Sequence, residues 1–485
     1  MLAMKKFQHQ YVATVSIVSF ALAVRFMVST HPHSGQGKPP MHGDYEAQRH
    51  WMEVTYNLPL AEWYRNTSNN NLLYWGLDYP PLTAYHSLAL GHIAARVNGS
   101  FVHLHKSRGI ETYEHKVFMR LSVLLADVLT LVPALLSFCD DSGYFFLSLL
   151  YPGFIMIDYG HFQYNCVSLG LCLAAIIGVK KNHHILASVF FSLALNYKQM
   201  ELYHALPFFI FLLQSCVDKP RGLSKLVKLL GLSLTVLVTF GIIWAPFLHN
   251  MDSALAVLQR LFPFDRGLYE DKVANIWCTS NVFIKWKQLF SAKSMAIICL
   301  ASTVVACIPC GVHLFLRTSF KAFLYSLVNM SLAFFLFSYH VHEKSILLVA
   351  MPALLLFQEN PLMTVWFLHI SHFSMLPLYV KDDLVEAYVS TSVMFLMGCF
   401  LIFEARSQCL LKGEHKLTKF ALFLSLLGTG LLSIGLLSLK PPAKYPDLFT
   451  LVVCGYSCAH FVAFFIYVNW KQLSLGRPFK FVKTD

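Results

Sequence analysis

Two acids stand two residues apart in Gly43-Asp44-Tyr45-Glu46, with Arg49 and His50 close behind. Trp51, Trp63, Tyr74, Trp75 and Tyr79 follow within the same polar stretch. Carboxylates among aromatic rings suit a site that handles sugars and protons. The rings offer flat apolar faces, and a positioned carboxylate that accepts a hydroxyl proton contributes about 10²–10⁴ in rate. Asp44 is the candidate base; Glu46, Arg49 and His50 are candidate substrate contacts. Gly43 lets the backbone turn tightly just before the acid. Asp44 and Glu46 share a face only if the chain is extended, and diverge on a helix. The plainer alternative is a solvated loop acid, against which the crowding by Arg49, His50 and the aromatics argues. In Trp75-Gly-Leu-Asp78-Tyr-Pro-Pro81 two prolines stiffen the chain beyond Asp78. Asp78 reads as a second acid, a group that positions a sugar hydroxyl, or a turn former.

A second constellation is His340-Val-His342-Glu343-Lys344-Ser345. A charge at mid-bilayer costs roughly 2.5–3.5 kcal/mol, so such a cluster at the end of an apolar segment wants a partner. A lipid phosphate fits, with Lys344 as point charge and His342 as donor. The alternative is an interfacial Lys344 paired with Glu343. His residues one apart need a third ligand to hold a metal, and none is identifiable, so no metal or other cofactor is expected. The stretch Phe262–Cys278 mixes acids, bases and aromatics and suits a lid or an interfacial amphipathic helix.

These motifs need a frame, and the composition supplies it. The chain has 485 residues, 56% hydrophobic and only 13% charged, where soluble globular proteins carry about 25% charged residues. Apolar runs of span length recur, which predicts an all-α polytopic membrane protein of about fourteen transmembrane helices. They fall near 11–30, 116–138, 143–160, 165–180, 183–200, 201–217, 226–248, 294–316, 320–339, 344–358, 361–380, 386–404, 415–438 and 446–469. The whole chain, 1–485, reads as one multi-span domain with large loops at about 31–115 and 249–293. No internal repeat is visible, and the first span lacks a small-residue cleavage site, so it reads as an uncleaved helix.

Charge sets the orientation. If Lys5 and Lys6 are cytosolic, the loops with Lys180–Lys181, Lys219/Arg221/Lys225/Lys228, Arg317/Lys321, Arg406/Lys412/Lys416 and the tail with Lys471, Arg477, Lys480 and Lys483 share that side, as the positive-inside rule asks. The acidic turn Asp140–Asp141 is the exception. The net charge of +12 then reads as topology signal and attraction to anionic lipid, not as nucleic-acid binding. All the unusual polar motifs fall on the other, non-cytosolic side, with the sequons at Asn66 and Asn98. A third sequon, Asn329, falls inside a span. Cys307-x-x-Cys310 lies in an apolar helix and reads as packing.

The segments GDYEAQRHW, YWGLDYPPLTAYH, DYGHFQYN, NYKQMELYHALPFF, LFPFDRGLYEDKVANIWC and HVHEKSILL occur in this order. Together they resemble the dolichyl-phosphate-glucose-dependent α-1,3-glucosyltransferases of the endoplasmic reticulum, over about residues 35–450. GDYEAQRHW and NYKQMELYH resemble the branch that adds the first glucose to the nine-mannose dolichol-linked oligosaccharide. The resemblance implies a C-type glycosyltransferase fold with a lumenal site, and inverting transfer from β-linked dolichyl phosphate glucose. It implies Asp44 as base and His342 and Lys344 as binders of the donor phosphate. The partners it implies are the dolichol-linked donor and acceptor lipids and the membrane; no obligate protein partner is inferred. Three other readings stay open: the second-glucose branch, a secondary transporter, and a non-catalytic scaffold or receptor. A transporter would show mid-bilayer polar residues and paired broken helices.

Overall fold

The computed structural model describes residues 2–217, 222–262, 272–406, 411 and 415–476. Residues 263–271, with Asp265, Arg266, Tyr269, Glu270 and Asp271 of the expected lid, lie outside it. So do Lys219, Arg221, Lys412, Arg477, Lys480 and Lys483 of the basic loops. Every regular element among the described residues is helical. Nine of the described helices are long and apolar enough to cross a membrane. These nine match nine of the fourteen expected spans. The other five are short or broken, and Pro and buried polar groups do the breaking. The region 143–160 is split into Ser142–Leu149, Pro152–Ile155 and a widened turn, Met156–Phe162. The region 361–380 is divided into Pro361–Phe373 and Leu376–Lys381, and 344–358 yields only Glu343–Ile346 and Leu347–Leu354. Asn165–Lys180 and His184–Tyr197 are apolar but short.

Contacts group the chain into two compact units. The first comprises Met1–Glu201, Leu232–Phe264 and Leu378–Ile402. It begins with the apolar helix α1 (Leu2–Ser29), and the polar stretch after it is folded, not open loop. Helix α2 (Gly43–Asn57) carries Asp44 and Glu46 in its first turn, where acids favour the helix dipole. It stops at Leu58, which precedes Pro59 and is extended. Helix α3 (Pro81–Val97) starts with proline at its first position, where no amide is needed. Helix α4 (Tyr113–Leu129) is capped by Thr112, whose side chain accepts from the His115 amide. Beneath α2 and α3 lies an apolar cluster with Trp51, Trp63, Tyr64, Leu77, Phe247 and Val257.

The second unit comprises Leu202–Gly231, Asp265–Pro377 and Phe403–Asp485. Its most enclosed span is Phe320–Phe337. There the buried Asn329 donates from Nδ2 to Gln472 Oε1 at 2.7 Å, and Gln472 Nε2 donates to Ser326 Oγ at 2.7 Å and to the Cys310 carbonyl at 2.9 Å. Such amide groups bind helices together where no water competes. The sequon at Asn329 is thus interior. Cys307 and Cys310 pack with Met330 and Ala333, as packing residues should.

Candidate active site

The start of α2 is set by a close approach of two backbone stretches. Gly35 and Gly43 both have positive φ, +70° and +67°. A Cβ on Gly35 would sit 2.2 Å from the His42 carbonyl carbon, and one on Gly43 would sit 2.6 Å from that of Ser34. Only glycine fits at either place. The contact brings Ser34 against the first turn, where the Asp44 amide donates to Ser34 Oγ at 3.2 Å. The Ser34 amide in turn donates to the His161 carbonyl at 3.0 Å. One serine therefore ties the helix start to the widened turn Met156–Phe162.

That turn supplies the partners of Asp44. Gln163 Nε2 donates to Asp44 Oδ2 at 2.5 Å, and His161 Nε2 lies 3.1 Å from the same oxygen. The other ring nitrogen, Nδ1, lies 2.5 Å from Asp382 Oδ2. The Asp44 side chain is 24% exposed, whereas His161 and Asp382 are buried. Lys198 stands next along this line: its Nζ donates to Asn165 Oδ1 at 2.5 Å, lies 3.5 Å from Gln163 Oε1, and sits 5.1 Å from the Tyr79 ring centre. A partly exposed carboxylate is thus held by the Gln163 amide and faced by the His161 ring, with an ammonium group and an aromatic face nearby. That arrangement can take a proton from a hydroxyl and seat a sugar ring.

Glu46, Arg49 and His50 face elsewhere. The helix turns Glu46 away from Asp44, and all three side chains are buried. Arg49 donates from Nε and Nη2 to the two Glu46 oxygens at 2.8 and 2.6 Å, from Nη2 to Glu53 Oε2 at 2.6 Å, and from Nη1 to Ser107 Oγ at 2.6 Å. His50 Nδ1 lies 3.2 Å from Glu53 Oε2, and Tyr74 OH donates to Glu46 at 2.8 Å. Burial opposes the Glu53 charge, but His50, Arg49 and the His105 amide outweigh it and hold Glu53 down at about 2. Burial pushes the Tyr74 hydroxyl up, reinforced by Glu46. Glu46, Arg49 and His50, read as candidate substrate contacts, lie in a buried network that fixes α2 to its surroundings and leaves His50 Nε2 without a partner among the described residues. Tyr74, read from the sequence only as one of the aromatic rings, belongs to that network, and so do Glu53 and Ser107, which were not singled out from the sequence.

Asp78 sits in a loop clamped through its backbone. Trp51 Nε1 donates to the Trp75 carbonyl at 2.9 Å, Gln199 Nε2 to that of Asp78 at 3.0 Å, Tyr64 OH to that of Tyr79 at 2.7 Å, and Arg260 to those of Gly76 and Leu77. Its side chain is half-buried.

The model of the ALG6, ALG8 glycosyltransferase family matches residues 21–467. The chain belongs to this family. A Pongo abelii protein named dolichyl pyrophosphate Man9GlcNAc2 alpha-1,3-glucosyltransferase is 46% identical, over 95% of this chain and 96% of its own length. A Drosophila melanogaster protein named as a probable enzyme of that activity is 48% identical, over 93% and 97%. An Arabidopsis thaliana protein, again named as probable, is 42% identical, over 95% and 89%.

His342 and Lys344, expected to bind the donor phosphate, lie in the second unit. His340 has φ +64°, and its ring stacks on Tyr339 at 5.5 Å. The Ser345 amide donates to the His342 carbonyl at 3.0 Å, closing the tight turn Glu343–Ile346. His342, Glu343 and Lys344 are all half-buried. The His340 and His342 ring centres lie 6.4 Å apart. Beside this turn is an apolar cavity of about 150 Å³, lined by Leu206, Leu300, Val304, Phe334, Ser338 and Tyr339 among others.

His161, Gln163, Lys198 and Asp382 were not singled out from the sequence. His161 and Gln163 stand in DYGHFQYN and Lys198 in NYKQMELYH, so those motifs held the signal. Asp382 is 221 residues from His161 and carries no local cue.

Proposed function

We propose that this chain transfers glucose from dolichyl phosphate glucose to the nine-mannose dolichol-diphosphate oligosaccharide, forming an α-1,3 linkage. It works in the endoplasmic reticulum membrane with its site facing the lumen. The observation that carries the reading is the identity of 46% and 48% to relatives named for that acceptor, across nearly the whole chain. The held, partly exposed carboxylate of Asp44 supports it. So does the loop charge pattern, which puts the polar motifs on the side away from the cytosol.

The chemistry follows from the groups present. The acceptor's mannose hydroxyl attacks the anomeric carbon on the face opposite the phosphate, turning β into α. A carbon–oxygen bond to the acceptor forms, the bond to the phosphate oxygen breaks, and its electron pair leaves with dolichyl phosphate. Asp44 takes the hydroxyl proton. The leaving phosphate is stable as an anion, so it needs cationic support more than a proton. His342 and Lys344 supply that support without a metal, and preorganised charge of this kind lowers the barrier directly. The adjacent apolar cavity suits an isoprenoid chain.

The test is purified protein with dolichyl phosphate glucose and two acceptors, one with nine mannoses and one already bearing a glucose, each with and without EDTA. We expect transfer to the nine-mannose acceptor, unaffected by EDTA. Preference for the glucosylated acceptor would move the chain to second-glucose transfer. Activity lost in EDTA and restored by magnesium or manganese would overturn the metal-free leaving-group site. No transfer to either acceptor would leave a scaffold or transporter.

A further inference from the structure

The first unit contains a carboxylate–imidazole–carboxylate line, Asp382–His161–Asp44, in which Asp382 and His161 are buried, Asp44 is partly exposed, and only Asp44 enters the proton transfer. Both nitrogens of the His161 ring face carboxylate oxygens, at 2.5 and 3.1 Å. A neutral imidazole has one N–H and one lone pair, so it satisfies only one of two carboxylates; an imidazolium satisfies both. The backbone around the ring is also fixed. Phe162 takes φ +90°, which bulky residues rarely adopt. Arg120 donates from Nη2 to the Gly160 carbonyl at 2.9 Å and to that of Pro32 at 3.2 Å. The widened turn that carries the ring is of a kind frequent at functional sites.

We infer that His161 and Asp382 are positioning residues for the base: Asp382 holds the His161 ring, and the ring, carrying both its protons, holds Asp44 as an oriented carboxylate. This rests on the reading of Asp44 as base. In the proton step the acceptor O–H bond breaks and an O–H bond forms on the Asp44 carboxyl. His161 keeps both N–H protons throughout, and the half-buried Asp44 later gives its proton to water. The imidazolium does not act as the acid or the base. It keeps Asp44 ionised at lower pH than an isolated carboxyl would be and fixes its rotamer, so the acceptor meets a ready base.

The charged and titratable groups around the ring come from five directions. Asp44 approaches from α2 and Asp382 from the turn after Leu376–Lys381. Arg120 of α4 bonds the same turn as His161 and lies within electrostatic range of Asp382. His33 precedes Ser34, and burial with nearby Arg120 pushes it down to about 3, so it adds no charge near neutrality. Lys38 donates to the Lys381 carbonyl, and Lys198 reaches Gln163. The fixed cations Arg120, Lys38 and Lys198 remain when His161 is replaced, so its own share of the effect can be read.

The experiment is kcat, donor KM and the pH profile of kcat/KM for full-length protein in detergent, with dolichyl phosphate glucose and the nine-mannose acceptor lipid. The variants are Asp44→Asn, His161→Gln, Asp382→Asn and Asp382→Glu. His161→Gln keeps a neutral donor but loses the positive charge. We expect its kcat to fall on the order of 10-fold with donor KM nearly unchanged. A neighbouring cation lowers a carboxyl pKa, so its loss raises Asp44, and the acid limb should move up by about one unit. Asp382→Asn should shift the limb the same way by less, and Asp382→Glu should restore it. An unmoved acid limb in His161→Gln and Asp382→Asn would sink the proposal, even with kcat reduced, because a merely structural role lowers rate or melting temperature without moving that limb. If His161→Gln fails to fold, the Asp382 pair decides alone, and a wild-type profile in Asp382→Asn is then the refuting result. Normal turnover in Asp44→Asn would instead overturn the base assignment itself, an outcome separable from the others.

Discussion

At the residue scale the decisive substitution is Asp44→Asn, which keeps the side chain's shape and removes its ability to take a proton. Turnover should fall by about 10² or more, with protein level and donor binding retained, as single-turnover and binding assays can read. Asp78→Asn should cost less, because its loop is held by main-chain carbonyls that Trp51, Gln199, Tyr64 and Arg260 grip. An active Asp44→Asn beside a dead Asp78→Asn would transfer the role to Asp78. On the leaving side, Lys344→Ala should raise the donor KM about 10-fold or more, the range of one hydrogen bond to a charged group. His342→Ala should act mainly on kcat, and an effect of Lys344→Ala confined to acceptor KM would contradict a phosphate role. Asp44 stood out as a candidate because an acid after glycine among aromatics is an unusual local pattern. Glu46 and Arg49 stood in the same pattern, yet their partners are each other. The spacing of Glu46, Arg49, His50 and Glu53, three and four apart, was the available sign of a helix with internal ion pairs. His161 and Asp382 were not legible as a pair, since only the fold brings positions so distant together.

At the element scale, α2 works because its start is pressed onto a backbone and its middle is locked by charge. Gly43→Ala places a Cβ 2.6 Å from the Ser34 carbonyl carbon at φ +67°, so the first turn must shift. Activity should drop by about the same factor as for Asp44→Asn, while far-ultraviolet circular dichroism stays near wild type. Wild-type activity in Gly43→Ala would mean that the close approach does not set the base. The locked middle carries an acid sensitivity. Glu53 titrates near 2 in the folded chain against an ordinary 4.5. A depressed carboxyl stabilises the fold above its unfolded value and loses that contribution as pH falls from about 4.5 towards 2. Melting temperature in detergent should therefore decline over that window, and Glu53→Gln should flatten the decline while lowering stability at pH 7. Hydropathy could see the apolar runs but not their breaks. Residues 143–160 are apolar enough to read as a span, yet Pro152 and the polar run from Asp158 to Asn165 divide them. Asp158 then accepts from the Asn165 and Cys166 amides at 3.1 and 2.7 Å and caps the next helix.

At the scale of the whole molecule, class was readable and count was not. A chain that is 56% hydrophobic and 13% charged can bury its helices only in lipid, so the polytopic reading needed no motif. Nine described helices have span length, and the remaining apolar segments are either short single helices or interrupted ones. Orientation depends on charge, which interrupted helices do not erase, and that makes it testable independently of the helix count. Asn66 and Asn98 are both exposed, with the Asn98 side chain accepting from the Ser100 amide at 3.0 Å. Asn329 is fully buried and bonded to Gln472. If residues 31–115 face the lumen, endoglycosidase should shorten the expressed chain in microsomes. Asn66→Gln and Asn98→Gln together should abolish that shift, and Asn329→Gln should leave it unchanged. A tag after Asp485 should be cut by protease added from the cytosolic side. A tag protected there, with cysteine-reactive reagent labelling a cysteine placed at Ser68 from the cytosol, would invert the chain. Asp44 would then face the cytosol, where the lumenal assignment of the transfer could not hold.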